Sequence, residues 1–371
     1  MPIVTRLLVI VLLLLVMKTN AQNLNGKNLF NWKQLKQIPD PDGFAGSYAG
    51  VSNGGLLVAG GSNFPGNKRP WTGGTKTWYD KIFILVKEDG DWKEIGRLPK
   101  PMGYGVALTY KDGLLCLGGG DLRHNYADVF ILRYSGGKIA TEKLPSMPAP
   151  LINACGVLVD QTVFIAGGIQ TPTGLTENVF WSLDMSSPEK KWKILEPVPG
   201  TTRMLAAAGT EGGNVYVFGG VHLFAKDTVL QREYLKDCWK YIPGKGWQKV
   251  ADLPHPLAAA PGPAYNARQS HLVLFGGDDG LNAPKVPELK DQHPGFRNEI
   301  LAYNTSNNTW STVGKMPAAI KTDAAVKPGA SLYAPVTTPL VIWNNNIVIA
   351  GGEARPAVRS NKVLMGTPQK Q

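Results

Sequence analysis

Six times along the chain a short apolar run of strand length ends in a glycine doublet. The runs are "LLVAGG" at Gly60, "LLCLGGG" at Gly118, "VFIAGG" at Gly167, "VYVFGG" at Gly219, "LVLFGG" at Gly276 and "IVIAGG" at Gly351. Successive doublets are 58, 49, 52, 57 and 75 residues apart. Each run is leucine-rich or β-branched and is broken by residues that permit tight backbone turns, which predicts a strand followed by a turn.

After each doublet a loop leads to Asp or Asn and a second apolar strand: "YDKIFIL", "YADVFIL", "ENVFWSL", "KDCWKY", "RNEILAY" and "SNKVLMG". A short carboxylate or amide side chain ahead of a strand can bond the turn backbone. Four units continue to a tryptophan strand and a proline: "DWKEIGRLP" at Trp92, "KWKILEPVP" at Trp192, "GWQKVADLP" at Trp247 and "TWSTVGKMP" at Trp310. The second unit has "KIATEKLP" and no tryptophan. The sixth lacks this strand, and "NWKQLKQIPDP", with Trp32, is a segment of the missing kind near the N-terminus. The expectation is a ring in which residues 22–40 complete the blade formed by 339–371, so that no sheet edge is left open.

A repeated double glycine with a later tryptophan resembles kelch repeats, each of which is a four-stranded propeller blade. The resemblance spans residues 22–371 and implies an all-β fold, a six-bladed kelch-type β-propeller with about 58 residues per blade against the usual ~50. The excess is expected in loops after the doublets, as in His222 to Lys236 and Asp278 to Phe296. Such insertions gather on one face, the natural place for a site.

Composition adds the compartment. Arg6, the apolar run Leu7 to Met17 and the small polar residues after it have the layout of a secretory signal peptide, with Ala21 the last residue before cleavage. The run is too short for the ~20 residues a spanning helix needs. The expected domains are therefore a signal peptide at 1–21 and one propeller at 22–371, exported to the periplasm or secreted, without membrane insertion. The net charge of +11 includes Arg6 and Lys18. It favours anionic ligands, but no Lys/Arg run or basic–aromatic interleaving points to nucleic acid. Cys116, Cys155 and Cys238 are an odd, widely spaced set in apolar strands, expected as buried thiols.

Candidate chemistry concentrates in "GGEARPAVRS", where Glu353 is followed by Arg355 and Arg359, with Pro356 stiffening the loop. A carboxylate beside a guanidinium keeps its charge and can act as a general base, while an arginine can clamp an anion bidentately. The same residues could equally form a loop salt bridge that only fixes the turn.

This segment, with "PDGFAGSYAGVSNGGLLVAGG" and "FRNEILAYNTSNNTW", resembles the kelch-type N-acetylneuraminate epimerases, the sialic acid mutarotases. In that family the glutamate segment precedes the "PDGFAG"-like one, and here the order is reversed. The chain thus resembles a cyclically permuted branch. The resemblance implies Glu353 as catalytic base and Arg359 as its paired arginine, with Arg355 a possible substrate contact. Arg203, Asn63 and Tyr104 are candidate substrate contacts from loop position. The implied reaction opens and recloses a cyclic sugar, the anionic N-acetylneuraminate or a relative, and needs no metal or redox cofactor.

Other enzymes that use such blades fit less well. Sialidase Asp boxes are absent from the sequence, as are the paired His and Tyr ligands of a copper oxidase. A kelch module that binds glycan or protein without catalysis is the alternative.

Overall fold

The structure is a computed structural model that describes residues 28–267, 270–318 and 334–369. The leader read in the sequence at 1–21 lies outside the described residues. Six four-stranded antiparallel sheets follow one another along the chain. The first comprises Tyr48–Ser52, Gly55–Ala59, Lys81–Leu85 and Lys93–Arg97. The second to fifth begin at Val106, Cys155, Ala207 and Tyr265. The sixth comprises Leu340–Trp343, Asn346–Ala350 and Val363–Pro368, with Phe30–Leu35 as its outer strand. Phe30 is paired with Pro368 and Leu35 with Val363, so segments from opposite ends of the chain share one sheet.

Why the inner runs are continuously apolar is answered by how the sheets stack. The main apolar clusters lie between adjacent blades. One joins Phe83 and Leu85 of the first blade to Trp343 and Met365 of the sixth. Another joins Val273 and Phe275 of the fifth to Ile347 and Ile349 of the sixth. Both faces of a middle strand are therefore covered, which removes the polar alternation expected of a half-exposed strand.

The glycine doublets are blade-to-blade contacts. Gly168 N–H donates to the Arg203 carbonyl of the next blade at 2.8 Å. A Cβ on Gly167 would stand 2.3 Å from that same oxygen, and Gly167 has φ +65°. The same contact links the sixth blade to the first, with Gly352 N–H on the Phe44 carbonyl at 2.7 Å.

The tryptophans clamp the rim. Indole N–H groups of Trp192, Trp247 and Trp310 donate to Pro145, Glu196 and Ala251, each a backbone carbonyl of the preceding blade, at 2.9–3.0 Å. Trp92 does likewise to Lys36, 2.8 Å away, across the junction of the two chain ends. Trp32 instead packs its ring against Phe30, Phe275 and the face of Gly366.

Around the axis runs a closed belt of six backbone hydrogen bonds, one residue per blade. Tyr104 donates to Gly46, Asn153 to Tyr104, Leu205 to Asn153, Ala259 to Leu205, Thr337 to Ala259 and Gly46 to Thr337, all at 2.7–2.8 Å. Every member has positive φ, between 54° and 68°. These residues line the axial cavity together with Val106, Cys155 and Pro339.

Two insertions differ in character. His222 to Lys236 is no loose loop: it prolongs the middle hairpin of the fourth blade, Asn214–Lys226 against Val229–Ile242. The turn at Asp227 and Thr228 has positive φ at both positions, the geometry that suits the twist of a two-residue hairpin. Asp278 to Phe296 instead folds into short helical turns over Ala283–Lys285, Val286–Leu289 and Lys290–Gln292.

Candidate functional site

Glu353 opens a two-stranded hairpin, Glu353–Arg355 against Val358–Arg359. Ala357 at φ +59° makes the tight turn, and its N–H donates to Glu353 Oε1 at 2.9 Å. Arg359 Nη1 lies 2.6 Å from that same oxygen. The Arg359 guanidinium also stacks over the Phe64 ring at 5.2 Å. Arg355 is completely buried and Arg359 nearly so, whereas the Glu353 side chain keeps 22% exposure. Both contacts thus fall on one carboxylate oxygen of an accessible acid, held by one buried cation and a backbone N–H.

A third arginine joins them. Arg69 comes from the loop after the first doublet and is buried. Asp291 Oδ1 lies 3.6 Å from both Arg69 Nε and Arg355 Nη2. Burial holds Arg69 below its ordinary value, Asp291 opposes that, and the charges of Arg355 and Arg359 add to the depression. Guanidinium remains cationic throughout. Three guanidinium groups thus lie close enough to perturb one another, with Asp291 and Glu353 among them.

His293, also buried, lies near Arg355 and Glu353. Burial, then the Arg355 charge, lower it below 6.5, with Glu353 opposing. Its Nδ1 accepts the Gly295 N–H at 3.1 Å, so the neutral ring carries its proton on Nε2 and presents a donor there.

Tyr104 forms the wall between this cluster and the axial cavity. Its hydroxyl is 2.7 Å from Ser62 Oγ, and Lys76 Nζ lies 4.1 Å from its ring centroid. The ring lies flat on Gly46, where a Cβ would be 2.7 Å away. Arg359 acts on the phenol as well as on Glu353.

The structure thus brings Glu353, Arg355, Arg359 and Tyr104 together. It does not bring Arg203 to them. Arg203 is 1% exposed, and its guanidinium pairs in fork fashion with Asp237 at 3.0 and 2.7 Å while also donating to the Gly219 carbonyl. The expectation of Arg203 as a substrate contact gives way to a clamp within the fourth blade. Asn63 is adjacent to the site but also buried, with its amide donating to the Gly43 carbonyl at 2.9 Å; it holds the loop rather than facing the cavity.

Sequence reasoning missed Arg69, Asp291 and His293. All three lie in long segments after doublets. One signal was present: Arg69–Pro70 repeats the Arg–Pro step of Arg355–Pro356, and a residue before proline is held extended. Nothing in the sequence marks Asp291 as the carboxylate shared by two of the arginines. Among the described residues no His, Cys, Asp and Glu cluster could hold a metal ion, and no helix is long and apolar enough to cross a membrane.

Fold and site together define a six-bladed kelch-type propeller with an acid–arginine cluster beside its axial cavity. Sequence comparison gives the relationship. The profile of a family described as N-acetylneuraminate epimerase matches residues 14–141. The N-acetylneuraminate epimerase of Haemophilus influenzae (strain 86-028NP) is 35% identical over 242 residues, 60% of this chain and 58% of that protein. Its counterpart in Pasteurella multocida (strain Pm70) is 36% identical over 134 residues, 32% of this chain and 35% of that one. The Salmonella enteritidis PT4 (strain P125109) protein is 37% identical over 102 residues, 24% and 26% respectively. Over part of its length the chain is similar to the N-acetylneuraminate epimerases. Its matches span less than two thirds of these relatives' length, and the profile match ends well before Glu353.

Proposed function

We propose that this protein interconverts the anomers of N-acetylneuraminic acid, or of a closely related acidic sugar, by opening and reclosing the ring. The observation that carries this reading is the accessible Glu353 carboxylate held at 2.6 Å by a buried Arg359, next to Arg355 and Arg69. The activity for which the similar proteins are named supplies the substrate class.

The chemistry is as follows. Glu353 takes the proton of the anomeric hydroxyl, and the anomeric carbon becomes a carbonyl as its bond to the ring oxygen breaks. The ring oxygen takes up a proton. After the carbonyl turns over, closure on its other face returns both protons and gives the other anomer. Arg359 keeps the glutamate aimed, with its Nη1 2.6 Å from Oε1. Arg355 and Arg69 supply positive charge for a substrate carboxylate, and His293 offers a neutral N–H donor. Positioned acid–base catalysis contributes ~10²–10⁴-fold, enough for a reaction that already runs slowly in water.

We also read the chain as a cyclic permutation of its relatives, exported by the leader at 1–21. A linear match between permuted rings has to stop at the cut, in keeping with the 60% coverage of this chain. In a closed ring the blade contacts are the same wherever the chain is cut.

The test is proton NMR of freshly dissolved crystalline N-acetylneuraminic acid. Faster approach to the anomeric equilibrium with protein than without it supports the reading. Saturable ligand shifts with no acceleration would instead identify a binding module.

A further inference from the structure

The proposed reaction needs a second proton carrier, and the cluster beside Glu353 contains one side chain built for that role. We propose that Tyr104 is the acid that protonates the sugar's ring oxygen as Glu353 deprotonates the anomeric hydroxyl. This rests on the mutarotase reading of the site.

Geometry carries the assignment. The anomeric hydroxyl and the ring oxygen are bonded to the same carbon, so the acid and the base that serve them must stand close together. One guanidinium, Arg359, contacts Glu353 and acts on the Tyr104 phenol, which holds the two groups on either side of a single anchor. Tyr104 is also partly exposed, on the side of the axial cavity.

The residue is held with unusual firmness. Its backbone has φ +64°, a conformation costly for a bulky side chain. The axial belt enforces it: Tyr104 N–H donates to Gly46 and its carbonyl accepts from Asn153. The ring rests on Gly46, and any side chain there would displace it. Ser62 holds the hydroxyl at 2.7 Å, and Lys76 sits over the ring face. Leu205, Ala259 and Thr337 share the strained backbone of the belt, so it is the glycine platform and the two cations that set Tyr104 apart. Backbone strain of this kind persists where the surroundings over-determine it.

Electrostatics agree. Burial alone would raise the phenol, but Arg359 and then Lys76 outweigh it, despite Glu353, and leave it below 10.0. A phenol so placed gives up its proton more readily, and the two cations stabilise the phenolate left behind. The proton balance closes. On opening, Tyr104 O–H transfers its proton to the ring oxygen as the bond to the anomeric carbon breaks, while Glu353 holds the proton of the anomeric hydroxyl. On closure the chain hydroxyl attacks the carbonyl, its proton returns to the phenolate, and Glu353 protonates the carbonyl oxygen.

The experiment compares wild type, Tyr104→Phe and Glu353→Gln by anomer equilibration across pH, with sugar binding followed by saturation-transfer NMR. Tyr104→Phe is expected to lower kcat about 100-fold with KM within about threefold. It should also abolish the alkaline fall in rate expected of wild type as the lowered Tyr104 phenol loses its proton. The wild-type-minus-variant ultraviolet difference spectrum should show a tyrosinate forming over that same range.

Full activity in Tyr104→Phe with an unchanged pH profile overturns the role of Tyr104 while leaving Glu353 intact. Full activity in Glu353→Gln overturns the underlying reading instead. If Tyr104→Phe fails to fold, Ser62→Ala and Lys76→Met keep the question open to measurement. Losing the cation should move the alkaline limb to higher pH, and a limb that stays in place in Lys76→Met counts against the proposal.

Discussion

Glu353 and Arg359 face each other across the register of one short hairpin, with Arg359 Nη1 2.6 Å from Glu353 Oε1. Their pairing is thus set by the local turn at Ala357 and does not depend on distant packing. If Glu353 is the base, Glu353→Gln, which keeps the shape and loses the proton acceptor, should cut anomer equilibration by ~10²–10⁴-fold. Arg359→Lys keeps the charge and loses the planar fork, and should cost at least about tenfold in kcat. Equilibration by Glu353→Gln at the wild-type rate would return the pair to the status of a loop salt bridge.

Arg203 should behave in the opposite way. Its pair with Asp237 is buried, and removing one partner leaves an uncompensated charge, at a cost of about 3–5 kcal/mol. Arg203→Met is expected to lower the denaturation midpoint sharply while the folded fraction keeps its KM for sugar. A raised KM with unchanged stability would restore Arg203 as a substrate contact.

The join between the chain ends can be probed at Trp92. Trp92→Phe removes the indole bond to Lys36, worth roughly 1 kcal/mol, and should lower Tm modestly. Deleting residues through Leu35 should do far more. It strips the outer strand from Val363–Pro368, exposes a sheet edge and leaves the Lys36 carbonyl that Trp92 holds at a free chain end. Aggregation in size-exclusion chromatography is the expected result; a monomeric, cooperatively folding deletion would show that the sixth blade stands without its N-terminal strand.

His255 and Glu299 provide a pH signature of stability in the fifth blade's neighbourhood. A hydrogen bond to Glu299 raises His255 above 6.5 despite burial, and that bond, with Arg297, lowers Glu299 below 4.5. The histidine's contribution is complete below its unfolded value and fades as pH rises through the raised folded one. The glutamate's is complete above its unfolded value and fades as pH falls through the depressed one. Stability should therefore decline on both sides of this window, by roughly 1–2 kcal/mol on the alkaline side. His255→Gln should flatten that alkaline decline in urea denaturation curves taken across pH.

How much was legible in the sequence differs between frame and site. Doublets and tryptophans announce the blades because each repeat solves one contact problem in the same way. A backbone carbonyl of the next blade meets a glycine at the inner end, and an indole meets a backbone carbonyl of the preceding blade at the rim. Glu353 and Arg359 were legible for a related reason, since the five residues between them form a tight hairpin that brings them face to face. Arg203 was misread because a lone arginine in a loop gives no hint of Asp237, 34 positions on. Arg69, Asp291 and His293 were passed over because their proximity to Glu353 exists only after separate insertions meet over the same mouth.

The sequence by itself determined the repeat, the number of blades and the hairpin pair, because each depends on neighbours a few residues apart or on a pattern copied six times. Tertiary structure alone decided which cations gather on Glu353, that Tyr104 stands against Arg359 on a glycine platform, and that six left-handed residues close a belt around the axis. Those outcomes depend on which loops the ring brings to one mouth. That is a matter of how the blades pack against one another, and no local pattern encodes it.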